Sequence, residues 1–406
     1  MVKVLKVGLL LLIPVWQGWA QKITISGKAL DRETREPLPF ASVGIKGKAL
    51  GTITNLQGEF DFHFPSEYRN EILVISMLGY LNYEAPVWTV VESDSAVIEL
   101  SKSTTMLQEV VVSDSLTGGD VLRIGLSRIE QNYPMQPFLL DAFYRDVKKV
   151  AGTYISLLEA AVQIYDKDYA EPRNKYRLRE HVKLVEVRKS IGYESKFTSY
   201  FDQDNLLEDL LLHNNIRYRQ IEAREELFAS MVREPDSYYN GHDIYVIAHT
   251  SDYRLRVFLD KKTFGIIHLT FETGASQEVL GRKKDLVSRF AGISKTLDFR
   301  EVNGRYYPSY FSMTSRVNWH NRETDAFQFE TELFQQLLIN EIQPHTLERI
   351  ASTEKMRNYG LQYQDRPYNK PFWDAYNLIK DTPLDKKILE DLEKVAPLKK
   401  QFEGKY

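Results

Sequence analysis

The chain has 406 residues, a formal charge of −3 with basic and acidic residues interspersed, 43% hydrophobic residues and no cysteine. Those figures exclude disulfides, thiolate metal ligands and a cysteine-borne lipid anchor, and the absence of basic clustering argues against nucleic acid as a partner. The length suffices for two or three domains, and 24 tyrosines with 20 phenylalanines favour strands.

Residues 1–20 place Lys3 and Lys6 before an apolar run from Val7 and end in the small residues Gly18 and Ala20, the pattern of a cleaved secretory signal. The run is shorter than the ~20 residues a membrane span needs and is broken by Pro14 and Gln17. On that reading the mature chain starts near Gln21 without a transmembrane helix, and loss of two lysines takes its charge from −3 to −5. An exported chain of this size without disulfides suits a bacterial envelope.

Residues 21–112 read as short alternating strands separated by turn chemistry, the pattern of an all-β sandwich. In GEFDFHF, Phe60, Phe62 and Phe64 share one strand face while Glu59, Asp61 and His63 share the other. Gly58 supplies a positive φ for the preceding turn, and Gly51 is expected to let the chain reverse or bulge. ILVISMLGY reads as a central strand. The combination EPLPFASVGIKGKALGTITNLQGEFDFHFP, then ISMLGY, then LQEVVV resembles the carboxypeptidase-like regulatory domain, a transthyretin-like, seven-stranded β-sandwich frequent at the N-termini of Gram-negative envelope proteins, TonB-dependent receptors included. The resemblance implies that Pro37, Ala41, Gly51, Thr52, Asn55, Gly58, Phe60, Gly79 and Tyr80 shape turns and core and do no chemistry.

The resemblance implies no peptidase. His345 and Glu348 have the His-x-x-Glu spacing of a zinc site, but no histidine follows His345 to complete three protein ligands. A TonB-dependent receptor would continue into a barrel of about 22 strands, for which the roughly 290 residues after Val112 are too few. A small outer-membrane barrel stays open as an alternative.

A linker over residues 113–119 leads to an antiparallel α+β domain over residues 120–350. Asp120 is expected to cap a helix ending at Pro134, and long strand candidates follow, interrupted by helical segments around Asn205 to Leu212 and Glu222 to Met231. Two hairpins stand out, one turning between Asp260 and Gly265 and one at Asn303-Gly304. The element order, with VFLDKKTFGIIHLTF and NGRYYPSYF, resembles the curved half-barrel of periplasmic lipoprotein carriers. That resemblance implies apolar inner strand faces sheltering acyl chains; a core plugged by the domain's own helices is the competing reading.

The tail, residues 351–406, carries the aromatic cluster Phe372, Trp373 and Tyr376, then a helix from Pro383 capped by Thr382, with Leu384, Ile388, Leu392 and Val395 as its apolar stripe and Glu390–Lys394 as an exposed pair. His242 and His249, seven apart on a strand, fall on opposite faces and do not suit joint ligation. Asp202 to Asn205 with Glu208 and Asp209 lacks the glycine and spacing of a calcium loop and reads as a helix start. The fold class is therefore mostly β, a sandwich followed by a long-stranded antiparallel curved sheet or half-barrel with packed helices. Function is expected to be non-catalytic binding of an envelope protein or an apolar ligand such as a lipid, periplasmic or outer-membrane associated. No catalytic, cofactor or metal residues are assigned and no cofactor is expected; a hydrolase acting on envelope polymers or peptides is the alternative.

Overall fold

The structure, a computed structural model, describes residues 22–91, 96–103, 115–194, 196–201, 204–356, 360–380 and 383–404. The signal segment, Leu107 to Val112, Asp202 and Thr382 lie outside the described residues.

The N-terminal part contains seven strands: β1 (Lys22–Asp31), β2 (Ser42–Ile45), β3 (Gly51–Ile53), β4 (Glu59–Pro65), β5 (Ile72–Ser76), β6 (Tyr83–Pro86) and β7 (Ala96–Leu100), with a short helix α1 (Val87–Val91) before β7. They form two facing sheets, ordered β4-β1-β7 and β3-β2-β5-β6. Alternation decides which side chains meet between them: Phe60, Phe62 and Phe64 of β4 are fully buried against Val43, Leu73 and Ile75 of the other sheet. Strand β5 also alternates, so Ile72 and Val74 are only half-buried rather than part of a continuous buried run. Gly58 sits at φ +74, and Asn55 braces the same turn by accepting from the backbone N–H groups of Gln57 and Glu59 at 2.9 and 2.8 Å. Tyr80 donates its hydroxyl to Asp31 at 2.8 Å; backbone N–H donors, chiefly Thr34, hold that carboxyl far below the usual carboxylate range.

The remaining strands are β8 (Phe138–Val150), β9 (Thr153–Asp166), β10 (His181–Lys189), β11 (Val232–Tyr239), β12 (His242–His249), β13 (Arg254–Asp260), β14 (Ile266–Thr273), β15 (Val279–Lys283), β16 (Leu286–Val302), β17 (Arg305–Asn321) and β18 (Phe327–Gln343). All pair antiparallel in one sheet, ordered β10-β9-β8-β18-β17-β16-β14-β13-β12-β11, with β15 paired to β16 alone. The longest hairpin, β16–β17, turns at Asn303-Gly304 with φ +51 and +76, the geometry the Asn-Gly pair favours. The sheet is curved and unclosed, with β10 and β11 as its edges, so it is not a barrel.

One face of this sheet is packed by helices α2 (Gly118–Ser127), α3 (Ile129–Asn132), α4 (Leu206–Leu212) and α5 (Glu225–Ser230). Thr117, rather than Asp120, caps α2; Asp120 completes a capping box from the third position. Gly118 and Gly119 allow α2 to touch the C-terminal end of α5, since a Cβ on Gly118 would lie 2.5 Å from the Met231 carbonyl oxygen and one on Gly119 2.3 Å from that of Phe228. Asn205 caps α4, which fits the helix-start reading of that segment. Val121, Leu122, Leu207, Leu210 and Phe228 bury themselves against Val257, Leu259, Leu269 and Phe299. Over this region the chain's own helices fill the strand face that a lipid-sheltering half-barrel would leave open.

The opposite face receives the sandwich and the tail. Ile53 of the sandwich, Phe143, Tyr310 and Leu338 of the sheet, and Trp373, Tyr376 and Ile379 of the tail form one buried cluster. The tail helices are α6 (Lys370–Asp374), α7 (Pro383–Leu392) and α8 (Leu398–Phe402). Val395 is 71% exposed, because the helix ends before it. Lys394 pairs with Asp391 at 2.8 Å rather than with Glu390. The side-chain amide of Asn377 pairs with both backbone groups of His63, at 2.7 and 2.9 Å, and its own carbonyl accepts from Asn340. Backbone bonds add to the docking, from Ile342 N–H to Ala49 and from Gly79 N–H to Tyr238.

Candidate ligand cavity between sandwich and sheet

A cavity of about 390 Å³ lies where the sandwich meets this face. Phe40, Ile53, Met77 and Leu78 come from the sandwich, and Tyr239, Ile267, His268, Asp298, Arg300 and Tyr310 from the sheet. The volume falls within the ~300–1,000 Å³ usual for small-molecule sites, and the walls are mainly apolar, as such sites require. Alternation along β16 creates the sheet side: Leu297 and Phe299 are buried under the helices, which turns Thr296, Asp298 and Arg300 to the sandwich.

Phe40 forms one wall. It holds a left-handed backbone at φ +59, donates its N–H to the Thr54 carbonyl, and stacks on Tyr310 with ring centres 5.6 Å apart. Tyr310 is buried and accepts from Gln336 at 2.7 Å; burial pushes its hydroxyl up to about 12, so it stays protonated at physiological pH. His268 Nδ1 bonds Asp298 at 2.5 Å, and its ring packs edge-on to Phe258. Burial raises Tyr239 as well.

Arg300 stands at the cavity's edge and also lines a second, more polar cavity of about 650 Å³ with Lys46, Lys48, Asn82 and Asn303. Its Nη2 donates to the Ile339 carbonyl at 3.3 Å, while its Nε is closed to solvent and has no hydrogen-bond partner. Burial holds the guanidinium below its ordinary value, opposed only by Tyr239. Gly51 has no left-handed backbone; its role is space, because a Cβ there would lie 2.7 Å from Arg300 Nη1 and 2.6 Å from the Val43 carbonyl oxygen. The expected chain reversal is thus replaced by close approach of the paired β2 backbone, with the tip of Arg300 also against the glycine.

The residues weighed for metal chemistry are not brought together. His345 lies in the turn after β18 and bonds Gln136 at 2.6 Å, while the Glu348 backbone N–H donates to Thr346. His242 bonds Asp260, and His249 bonds Ser230 and Asp252, on separate surroundings. Among the described residues no group of three His, Asp or Glu side chains is placed to hold a metal ion. Sequence reasoning assigned no residue to the cavity. Arg300 reads as one more charge on an alternating strand, and only the docked sandwich distinguishes it from a solvated residue.

Residues 25–112 match the model of the CarboxypepD_reg-like domain. The sandwich is a domain of that family. Over 95 residues the chain is 37% identical to the TonB-dependent receptor SusC of Bacteroides thetaiotaomicron, which covers 23% of this chain and only 9% of the receptor's length. Among solved structures, the MucA/MucB complex of Pseudomonas aeruginosa aligns with 56% of this chain and 99% of its own at 11% identity and a TM-score of 0.20. Lipovitellin, described for its lipid–protein interactions, aligns over 55% of this chain and 27% of its own at 8% identity and a TM-score of 0.26. A protein of unknown function from Bacteroides fragilis covers 79% of this chain and 98% of its own at 9% identity and a TM-score of 0.15. Likenesses this faint carry no argument about ligand or partner, so the functional reading rests on the site itself.

Proposed function

We propose that the chain is a non-catalytic, exported binding protein of a Gram-negative envelope, periplasmic or outer-membrane associated, that takes an apolar ligand such as a lipid into the cavity between sandwich and sheet. The observation that carries this reading is a mainly apolar space of ligand size, walled by Phe40, Ile53, Met77, Leu78 and Tyr310, beside the buried apolar cluster that joins sandwich, sheet and tail. The signal-like residues 1–20 and the CarboxypepD_reg-like match support the envelope. Among the described residues no helix is long and apolar enough to cross a membrane. We assign residues 21–112 to a docking sandwich, 113–119 to a linker, 120–350 to the sheet domain, and 351–406 to a tail that fixes the two together.

The hydrolase alternative has one observation to meet. His268 Nδ1 on Asp298 orients the imidazole as in a Ser–His–Asp triad. However, Ser42, Ser76, Ser309 and Ser312 all line the cavity and none is hydrogen-bonded to Nε2, so the nucleophile's contact is missing.

The test is purification from envelope extracts without detergent, solvent extraction and mass spectrometry. A lipid in near-stoichiometric amount with the intact protein supports the reading. Protein that emerges free of lipid and takes up none from mixed vesicles refutes it. N-terminal sequencing of the exported protein is expected to start near Gln21.

A further inference from the structure

Arg300 is half-buried with its Nε closed to solvent, and its charge is not met as that of the fully buried arginines is. Arg217 makes a two-pronged pair with Asp166 at 2.6 and 3.0 Å. Arg145 bonds Glu159 at 2.7 Å, and Arg188 shares that carboxylate at 2.6 Å. Arg300 has no carboxylate within ion-pair distance among the described residues; the one acceptor it meets is the Ile339 carbonyl. Leaving a partly desolvated guanidinium without a counter-charge costs free energy that an arriving anion would recover. Its Nη1 lies against Gly51, where a Cβ would stand 2.7 Å away. Nearby cations are already neutralised, Lys46 by Glu84 and Lys48 by Glu71 at 3.2 Å. Asp298, the carboxylate in the same cavity, is turned to His268.

Building on the apolar-ligand reading above, we infer that Arg300 is the head-group site of the cavity and that the ligand is a single-chain amphiphile with an anionic oxygen head, a carboxylate or a phosphate monoester. The apolar chain lies against Phe40, Ile53, Met77 and Leu78, and the head accepts from the guanidinium at the boundary with the polar cavity. A planar fork of N–H donors suits both oxyanions.

The test is displacement of a fluorescent apolar probe from the full chain by palmitate, hexadecyl phosphate and hexadecanol, with wild type, Arg300→Met, Arg300→Lys and Gly51→Ala compared after thermal melts confirm folding. Wild type is expected to bind one or both anions about tenfold or more tighter than the alcohol, the scale of a charge-assisted hydrogen bond; the tighter anion identifies the head. Arg300→Met is expected to bind all three alike, Arg300→Lys to keep part of the preference, and Gly51→Ala to lose some of it. If wild type binds acid, phosphate and alcohol equally, or if Arg300→Met keeps the preference, the head-group site falls while the apolar cavity stands. If the probe and all three compounds fail to bind wild type, the apolar-ligand reading falls as well.

Discussion

Replacing Glu159 tests how the tail is fixed to the sheet. This carboxylate is buried, receives Arg145 at 2.7 and 2.6 Å, and receives Arg188 at 2.6 and 2.5 Å. Arg188 in turn lies over the Trp373 and Phe402 rings, 4.4 and 5.0 Å from their centres, which makes Glu159 the anchor of both tail contacts. Burial alone would raise the Glu159 pKa, but Arg188 and Arg145 overcome it and bring the group from 4.5 to about 2. At 1.36 kcal/mol per pKa unit, that displacement is worth about 3 kcal/mol. Removing the carboxylate would also strand two guanidiniums, for which a loss of about 3–5 kcal/mol is usual. A folded value below the unfolded one means that the stabilisation is complete above pH 4.5 and is lost as pH falls toward 2. We therefore expect Glu159→Ala to lose about 3–5 kcal/mol at pH 7 and Glu159→Gln somewhat less, read by urea unfolding followed through tryptophan fluorescence. Both variants should lose less stability than wild type as pH falls from 4.5 toward 2, with Asp31, also held below the usual carboxylate range, supplying what remains. Unfolding midpoints equal to wild type at pH 7, or an acid limb as steep as the wild type's in both variants, would refute the reasoning.

Three further expectations follow from named contacts. Gly51→Ala pushes a methyl group onto the Val43 carbonyl oxygen and Arg300; overpacking of this kind costs about 1–3 kcal/mol, visible as a lower melting temperature. Asn377→Ala strips both backbone groups of His63 of their partner; with about 1–3 kcal/mol lost, limited proteolysis should cut between tail and sheet sooner than in wild type. Glu180, which accepts from Tyr218 and the Arg179 N–H, is raised to about 7, mainly by burial. Because its folded value exceeds the unfolded one, charging it costs stability as pH climbs from 4.5 through 7. Glu180→Gln should therefore melt higher than wild type at pH 8, with the advantage gone by pH 4.

Local signals made much of the fold legible. The alternation through Phe60, Phe62 and Phe64 gave the sandwich core, and Asn303-Gly304 gave the longest hairpin, because each depends on neighbours a few residues away. The capping of α2 was misplaced by three positions, since Thr117 and Asp120 are both good capping residues and only the backbone geometry separates their roles. Val395 fits a helical stripe by spacing, yet the chain leaves the helix at Leu392. The cavity was beyond such reasoning. Phe40 and Arg300 line one cavity across 260 residues of chain, and position 51 is crowded both by the Val43 carbonyl of the paired strand and by the tip of Arg300 from β16, where no local pattern points.

The central claim is that the space between sandwich and sheet receives an apolar molecule. The most direct measurement is titration with a polarity-sensitive apolar dye of wild type and Thr296→Phe, a change that places a ring inside the cavity from a strand position able to carry one. Saturable binding of one dye per chain in wild type, abolished in Thr296→Phe with circular dichroism unchanged, is the expected result. Equal binding by both proteins would contradict it and move any apolar site elsewhere, such as the groove beside Trp319 and Met313.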